Sequence, residues 1–376
     1  MLDQLTPTGR IAMNKLEPLL ALAEKRNVFE LMINKPGAVW IDVAGRGPEE
    51  LTGKDASWAT PEWLEDVCQL LSVAYELPFD PRKGLGRLAC QLPGGHRWHS
   101  LLGPMTRNGM AVAVRVKRHL KNPTWSNWGM DKNDPRVARL EAAVKAGRGV
   151  LVSGGTASGK TTLLNFLVNF IPRDWRMNLI EDVPEIDLPH PNRVEIFVSR
   201  VISEGRMTWR DGLDDIVRLK PDGCAIGEIN MDNAYAFVRL INTGHDAAFS
   251  SIHATTPWGA FLAIRQNTQM SGMPPDGVLD MLVERIGFVV QVKRANRSGG
   301  SAERKITRVM SPFEMPEAVA MLDRAIGPDW RKSSEAYETY LSEKSEFERQ
   351  AGVTIGAGGE LETRTGKPIA NRSHLS

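Results

Sequence analysis

Cysteine is scarce in this sequence. Cys68, Cys90 and Cys224 are the only three in 376 residues, they stand far apart, and no CxxC occurs. That excludes a zinc knuckle and a thioredoxin-type redox pair, and so sparse a count fits a reducing compartment. Long apolar runs are missing as well. No stretch reaches the ~18 residues a membrane helix needs, and no short apolar core follows Asp3 and Gln4 as a secretory leader would require. A cytoplasmic protein is expected, with peripheral membrane contact at most. Neither sign of charge is in excess. The 47 basic and 45 acidic residues leave a formal +2, which gives no footprint for direct nucleic-acid binding. Heptad arrays and internal repeats are absent too.

What is present is a large apolar share, 42% of residues, in a chain too long for one ordinary core, so two domains are expected. Residues 10–26 read as a helix with Ile11, Leu16, Leu19, Leu20 and Ala23 on one face, interrupted at Pro18. That face is expected to pack on its own domain rather than on lipid. Alternating apolar residues flank a turn at Lys35-Pro36-Gly37, a hairpin signature. A helix over 61–76 and a second hairpin over 96–118 complete an α+β domain at 1–120. Residues 121–136, poor in aliphatics and rich in Asn, Pro and Trp, read as a linker with Trp125 and Trp128 as anchors on the surface. From Val137 to about 345, strands alternate with helices, the pattern of a parallel sheet covered on both faces. Residues 346–376 are Gly-rich and polar and read as a flexible tail.

One stretch carries a specific signal. Gly154-Gly155-Thr156-Ala157-Ser158-Gly159-Lys160-Thr161 has the spacing GxxxxGK-Thr between an apolar strand and a helix that opens with Thr162 in its first turn. Glycines let backbone N–H groups turn inward around phosphate oxygens, and the helix N-terminus adds its positive end. Lys160 supplies a point charge for β- and γ-phosphates, and the Thr161 hydroxyl suits Mg²⁺. ATP with Mg²⁺ is the ligand this pattern predicts. Hydrolysis also needs a carboxylate near the γ-phosphate. "NLIEDVPEI" offers Glu181, Asp182 and Glu185, and "CAIGEI" offers Glu228, each where a parallel sheet ends its strands. The alternative for these acids is a solvated strand end, a weaker reading for Glu228, because a lone Glu closing a buried apolar strand is costly. His253 closes "SSIHAT" and could report on the γ-phosphate by a hydrogen bond, or be a satisfied core histidine.

Together these boxes resemble the secretion superfamily of hexameric ATPases, and look closest to the traffic ATPases of type IV secretion and conjugation. The resemblance spans residues 25–310: "VFELMINKPGAVWID" is similar to the N-terminal hairpin, "LIEDVPEI" to the acidic box, "VRLKPDGCAIGEI" to the Walker B region and "TGHDAAFSSIHATTP" to the histidine box. It implies a RecA-like ATPase domain behind the α+β domain. It also implies a homo-hexameric ring, and channel and coupling proteins at the inner membrane as partners. By the same resemblance Glu228 polarises water or holds Mg²⁺, Glu181 and Asp182 lie near the metal, and His253 is the box histidine. Arg97 and Arg115 are implied to reach the phosphates, a job guanidinium forks suit. The pattern departs at Asn230-Met231, where the family usually has Arg-Gly, and at Val183-Pro184 in the acidic box. A type IV pilus or type II secretion ATPase is an alternative, disfavoured by the missing tetracysteine module, and an assembly scaffold with little turnover is another.

Overall fold

The computed structural model describes residues 6–43, 46–117, 120, 122–198, 207–245, 247–296, 302–356 and 358–363. The chain divides into two compact units, Met1–Leu120 with Asn296–Ala302, and Lys121–Ala295 with Glu303–Ser376.

The first unit runs α1 (Pro7–Lys25), β1 (Val28–Lys35), β2 (Ala38–Val43), β3 (Gly47–Leu51), α2 (Pro61–Ala74), β4 (Arg87–Gln91), β5 (Arg97–Leu102) and β6 (Met110–Arg115). Its strands form one antiparallel sheet in the order β3-β2-β1-β6-β5-β4. Strand residues alternate between buried and open: in β5, Trp98, Ser100 and Leu102 are buried. They share one core with Leu16 and Leu19 of α1 and Leu64, Val67 and Leu71 of α2. Pro18 does not interrupt α1, contrary to expectation. Its ring lies on the exposed side, while Ala12, Leu16, Leu19 and Ala23 are buried. An internal proline costs about 3 kcal/mol, and burying two leucines at about 1.5–3 kcal/mol each offsets it. This stripe also answers what the helix packs on: its own domain.

The second unit runs α3 (Pro135–Lys145), β7 (Gly149–Gly154), α4 (Lys160–Leu167), β8 (Met177–Glu181), β9 (Arg193–Phe197), α5 (Trp209–Arg218), β10 (Gly223–Ile229), α6 (Ala234–Asn242), β11 (Ala248–Ile252), α7 (Pro257–Met270), α8 (Val278–Arg285), β12 (Ile286–Asn296), β13 (Ala302–Met310), α9 (Pro316–Ala325), α10 (Trp330–Ser333), α11 (Glu335–Ala351), β14 (Val353–Ile355) and β15 (Leu361–Thr363). Seven strands form a sheet in the order β13-β12-β7-β11-β10-β8-β9. The six from β12 to β9 pair in parallel. β7 is buried along its whole length. Its Leu151 packs into the core under α5 to α8, and Val150 and Val152 pack into the core under α3 and α4.

Two expectations need correction. Trp125 and Trp128 are core residues of the second unit, not surface anchors: both are buried and pack on Phe166, with ring centroids 4.9 and 5.1 Å away. The Trp125 indole N–H donates to Glu141 Oε1 at 2.7 Å. Being enclosed, neither ring is open to stack on a nucleobase. The polar tail from 346 is also ordered over much of its length. α11 continues to Ala351, and β14 and β15 close an antiparallel hairpin. Val353, Ile355 and Leu361 bury themselves with Phe347, and the Gly358 N–H donates to the Glu314 carbonyl at 2.9 Å. Four apolar side chains suffice for a hairpin but are too few to show as a pattern. Residues 364–376 lie outside the described residues.

Candidate active site

The phosphate loop leaves the C-terminal end of β7 after Gly154. Gly155, Thr156 and Ala157 are exposed, and Ser158 is buried. Gly159 has φ +90° and serves as N-cap of α4. That left-handed conformation, needed to turn the chain into the helix, is open to glycine at little cost. Thr161 and Thr162 follow, half-buried, in the first helical turn, where N–H groups have no intrahelical acceptor.

Lys160 is buried, 6% exposed. Its Nζ donates toward the Gly155 carbonyl at 3.4 Å and lies 3.2 Å from His253 Nδ1 and 3.3 Å from its Nε2. His253 Nε2 is 3.0 Å from Glu228 Oε1. The imidazole has the ammonium close to both ring nitrogens and the carboxylate beside Nε2. Three neighbouring strand ends, β7, β11 and β10, thus bring a lysine, an imidazole and a carboxylate into one line. Hydroxyls fix the strands beneath it. Ser251 Oγ donates to the Gly227 carbonyl at 3.0 Å, and Ser153 Oγ and Gln291 Nε2 both donate to the Ala254 carbonyl, at 3.4 and 3.2 Å.

The acidic loop divides its labour differently from the expectation. Glu181 is 1% exposed. Its carboxylate accepts the N–H of Glu185 at 3.2 Å and that of Ile186 at 3.1 Å. A side chain on Gly227 would approach its Oε1 to 2.9 Å, so glycine is needed beside it. The Glu181 carboxylate thus accepts from the loop backbone and lies beside Gly227, the residue before Glu228. The carboxylate delivered to the helix start is Glu185: its Oε2 accepts from the Thr161 hydroxyl at 3.2 Å. Asn165 locks that geometry, donating to the Glu185 carbonyl at 2.8 Å and accepting from the Asp187 N–H at 2.8 Å. Asp182 is half-buried at the end of β8. The hydroxyl of Thr161 and the carboxylate of Glu185 are hard oxygen donors of the type Mg²⁺ takes.

Asn230 is accounted for locally. Its Oδ1 accepts from the Asp232 N–H at 2.8 Å, and its own N–H donates to Asn233 Oδ1 at 2.8 Å. The buried Asn233 in turn donates to the carbonyl of Glu228 at 2.8 Å. The pair builds the turn between β10 and α6 and fixes the backbone beneath the carboxylate. Arg97 and Arg115 belong to the first unit. They are directly opposite each other on β5 and β6, and Glu30 of β1 faces Arg115 in turn. Facing partners share one side of a sheet, so the two guanidiniums leave from the same face.

The family of type II/IV secretion system proteins matches residues 98–285, half of the chain. The chain belongs to this family. A type IV secretion system protein VirB11 of Bartonella quintana is 25% identical over 330 residues, covering 76% of this chain and 90% of its own. A probable conjugal transfer protein TrbB of Sinorhizobium fredii is 27% identical over 286 residues, covering 75% and 83%. Among solved structures, the Legionella pneumophila ATPase DotB aligns with 87% of this chain and 95% of its own, at 16% identity and a TM-score of 0.56. That likeness establishes a shared fold, the RecA-like parallel sheet with an α+β unit ahead of it. Among the described residues no helix is long and apolar enough to cross a membrane.

Proposed function

We propose that this protein is an ATP-hydrolysing ring motor of a type IV secretion or conjugation system. The observation that carries the reading is the line Lys160–His253–Glu228 at the mouth of a phosphate loop. Lys160 is the cation for the β- and γ-phosphate oxygens, and the loop N–H groups from Gly155 to Thr162 cradle the chain of phosphates. Thr161 and Glu185 hold the metal side of the ligand, with Glu228 and Asp182 acting through water. Mg²⁺, when bound, neutralises phosphate charge and sharpens the γ-phosphorus as an electrophile. Glu228 accepts a hydrogen bond from the attacking water and orients it in line with the leaving oxygen. His253, with Nε2 3.0 Å from Glu228, lies beside that carboxylate, and its ring N–H is the donor available to Glu228 or, once nucleotide is bound, to the γ-phosphate. Arg97 and Arg115 are assigned as phosphate-binding cations of the first unit. Their support is their register on one sheet face and the demand of phosphoryl transfer for positive charge.

Membership of a secretion family, and the names of the VirB11 and TrbB relatives, support transport as the task. The proposal extends to a homo-hexamer, to channel and coupling proteins as partners, and to a cytoplasmic location at the inner membrane. The chain is organised as domain units of residues 1–120 and 137–345 that hydrolysis moves as bodies. Lys160→Ala tests the site at its root. A fluorescent ATP analogue titrated against the full chain should bind the parent and lose at least about tenfold in affinity with Lys160→Ala. Equal affinity for the two proteins would contradict the assignment.

A further inference from the structure

His253 is exposed, so packing does little to hold it. It stands one residue past β11, where ladder pairing ends at Ile252. Its bearing toward Lys160 and Glu228 is set by its ring contacts and by the backbone that carries it. That backbone is gripped one residue later. The Ala254 carbonyl accepts from Ser153 Oγ of β7 at 3.4 Å and from Gln291 Nε2 of β12 at 3.2 Å. Register explains the reach. Gln291 pairs with Ser153, and Ser153 with Ile252, so the three stand in a row across β12, β7 and β11.

Gln291 is a costly residue at this place. Two positions earlier on the same strands and the same face, Val289 and Leu151 belong to the apolar core under α5 to α8. Gln291 is 1% exposed, and its Oε1 is buried with no hydrogen-bond partner among the described residues. A buried amide with one half unmet is less favourable than an aliphatic side chain filling the same space. The one side-chain hydrogen bond Gln291 makes among the described residues is the one to Ala254. A buried polar group that weakens the fold, and whose only bond fixes the backbone beside a site residue, fits a task at that site.

We infer that Gln291, together with Ser153, is a positioning residue for His253. Its amide holds the chain where it leaves β11, so that the imidazole stays beside Lys160 and Glu228 with its N–H available to the γ-phosphate. The inference rests on the role proposed above for His253 and adds the part that keeps it in place. Both donors sit on strands of the sheet, so the imidazole is placed before nucleotide arrives.

The test titrates the full-length parent, Gln291→Met, Ser153→Ala and His253→Ala with fluorescent ADP and a fluorescent non-hydrolysable ATP analogue in Mg²⁺. Gln291→Met keeps the length of the side chain and removes its donor. Ser153→Ala removes the other donor with little change in volume, so one variant stays informative where the other harms folding. Each should lose about three- to tenfold in affinity for the triphosphate, the worth of one hydrogen bond, with ADP affinity within about twofold of the parent. Gln291→Met should unfold at a urea concentration no lower than the parent's. Added to His253→Ala, it should change triphosphate affinity by less than about twofold, because it acts through the residue already removed. Triphosphate affinity within about twofold of the parent in both variants overturns the inference. An equal loss for ADP, a lower urea midpoint for Gln291→Met, or a full further loss on top of His253→Ala overturns it too, by making Gln291 structural. If His253→Ala keeps the parent's affinity for the triphosphate, the role of His253 fails and this inference with it. A parent that binds neither nucleotide overturns the nucleotide reading itself, and the inference falls with that reading.

Discussion

At the scale of single residues, the most instructive position is Glu181. Its motif places it among acids near the metal, and its buried carboxylate accepts the backbone N–H groups of residues 185 and 186. We propose that it positions Glu185. Glu181→Ala should therefore strip those N–H groups of their acceptor and destabilise the second unit by about 3 kcal/mol. The loss is read as a lower urea midpoint at unchanged slope. A variant as stable as the parent but without turnover would restore the metal-side role. Lys160, Thr161 and Glu228 were legible in the sequence because chain spacing alone fixes them to a loop and a strand end. The contacts His253–Glu228 and Glu185–Thr161 were not. Each joins segments tens of residues or more apart, and strand order, which no local pattern encodes, decides which of them meet.

At the scale of elements, the alternation of strands and helices from β7 to α7 was readable, since short, mostly apolar and fully buried strands such as β7 and β11 alternate with helices. Between Asn122 and Asp134 the polar composition concealed two tryptophans that complete the core against α3 and α4. Trp128 is 1% exposed. Trp128→Ala should cost about 3–5 kcal/mol, the penalty for emptying a buried aromatic site, measured as a fall in thermal or urea stability of the full chain. A change under about 0.5 kcal/mol is what a surface position would give. The C-terminal hairpin escaped reading for a related reason: its stability comes from packing on α11 and from Glu314. That carboxylate is buried and paired with the buried Arg139 of α3, so the end of the chain is tied to the start of the second unit. Truncation before β14 would remove contacts of the ATPase unit and not a loose appendage.

At the scale of the whole molecule, the two units supply different chemistry. The second carries the phosphate loop and the proposed metal-side and hydrolytic residues, and the first carries Arg97 and Arg115, opposite each other on β5 and β6 and proposed to bind phosphate. A ring built from such chains should sediment with Mg²⁺-ATP as a particle of six chains, and a monomer under those conditions would refute the ring. The most direct measurement is steady-state phosphate release with Mg²⁺-ATP by the purified full chain and by Glu228→Gln. Our account predicts release by the parent, and a fall of about two to three orders of magnitude in the variant, with nucleotide affinity preserved. Release unchanged by Glu228→Gln, or a parent that binds ATP and releases no phosphate, would contradict it.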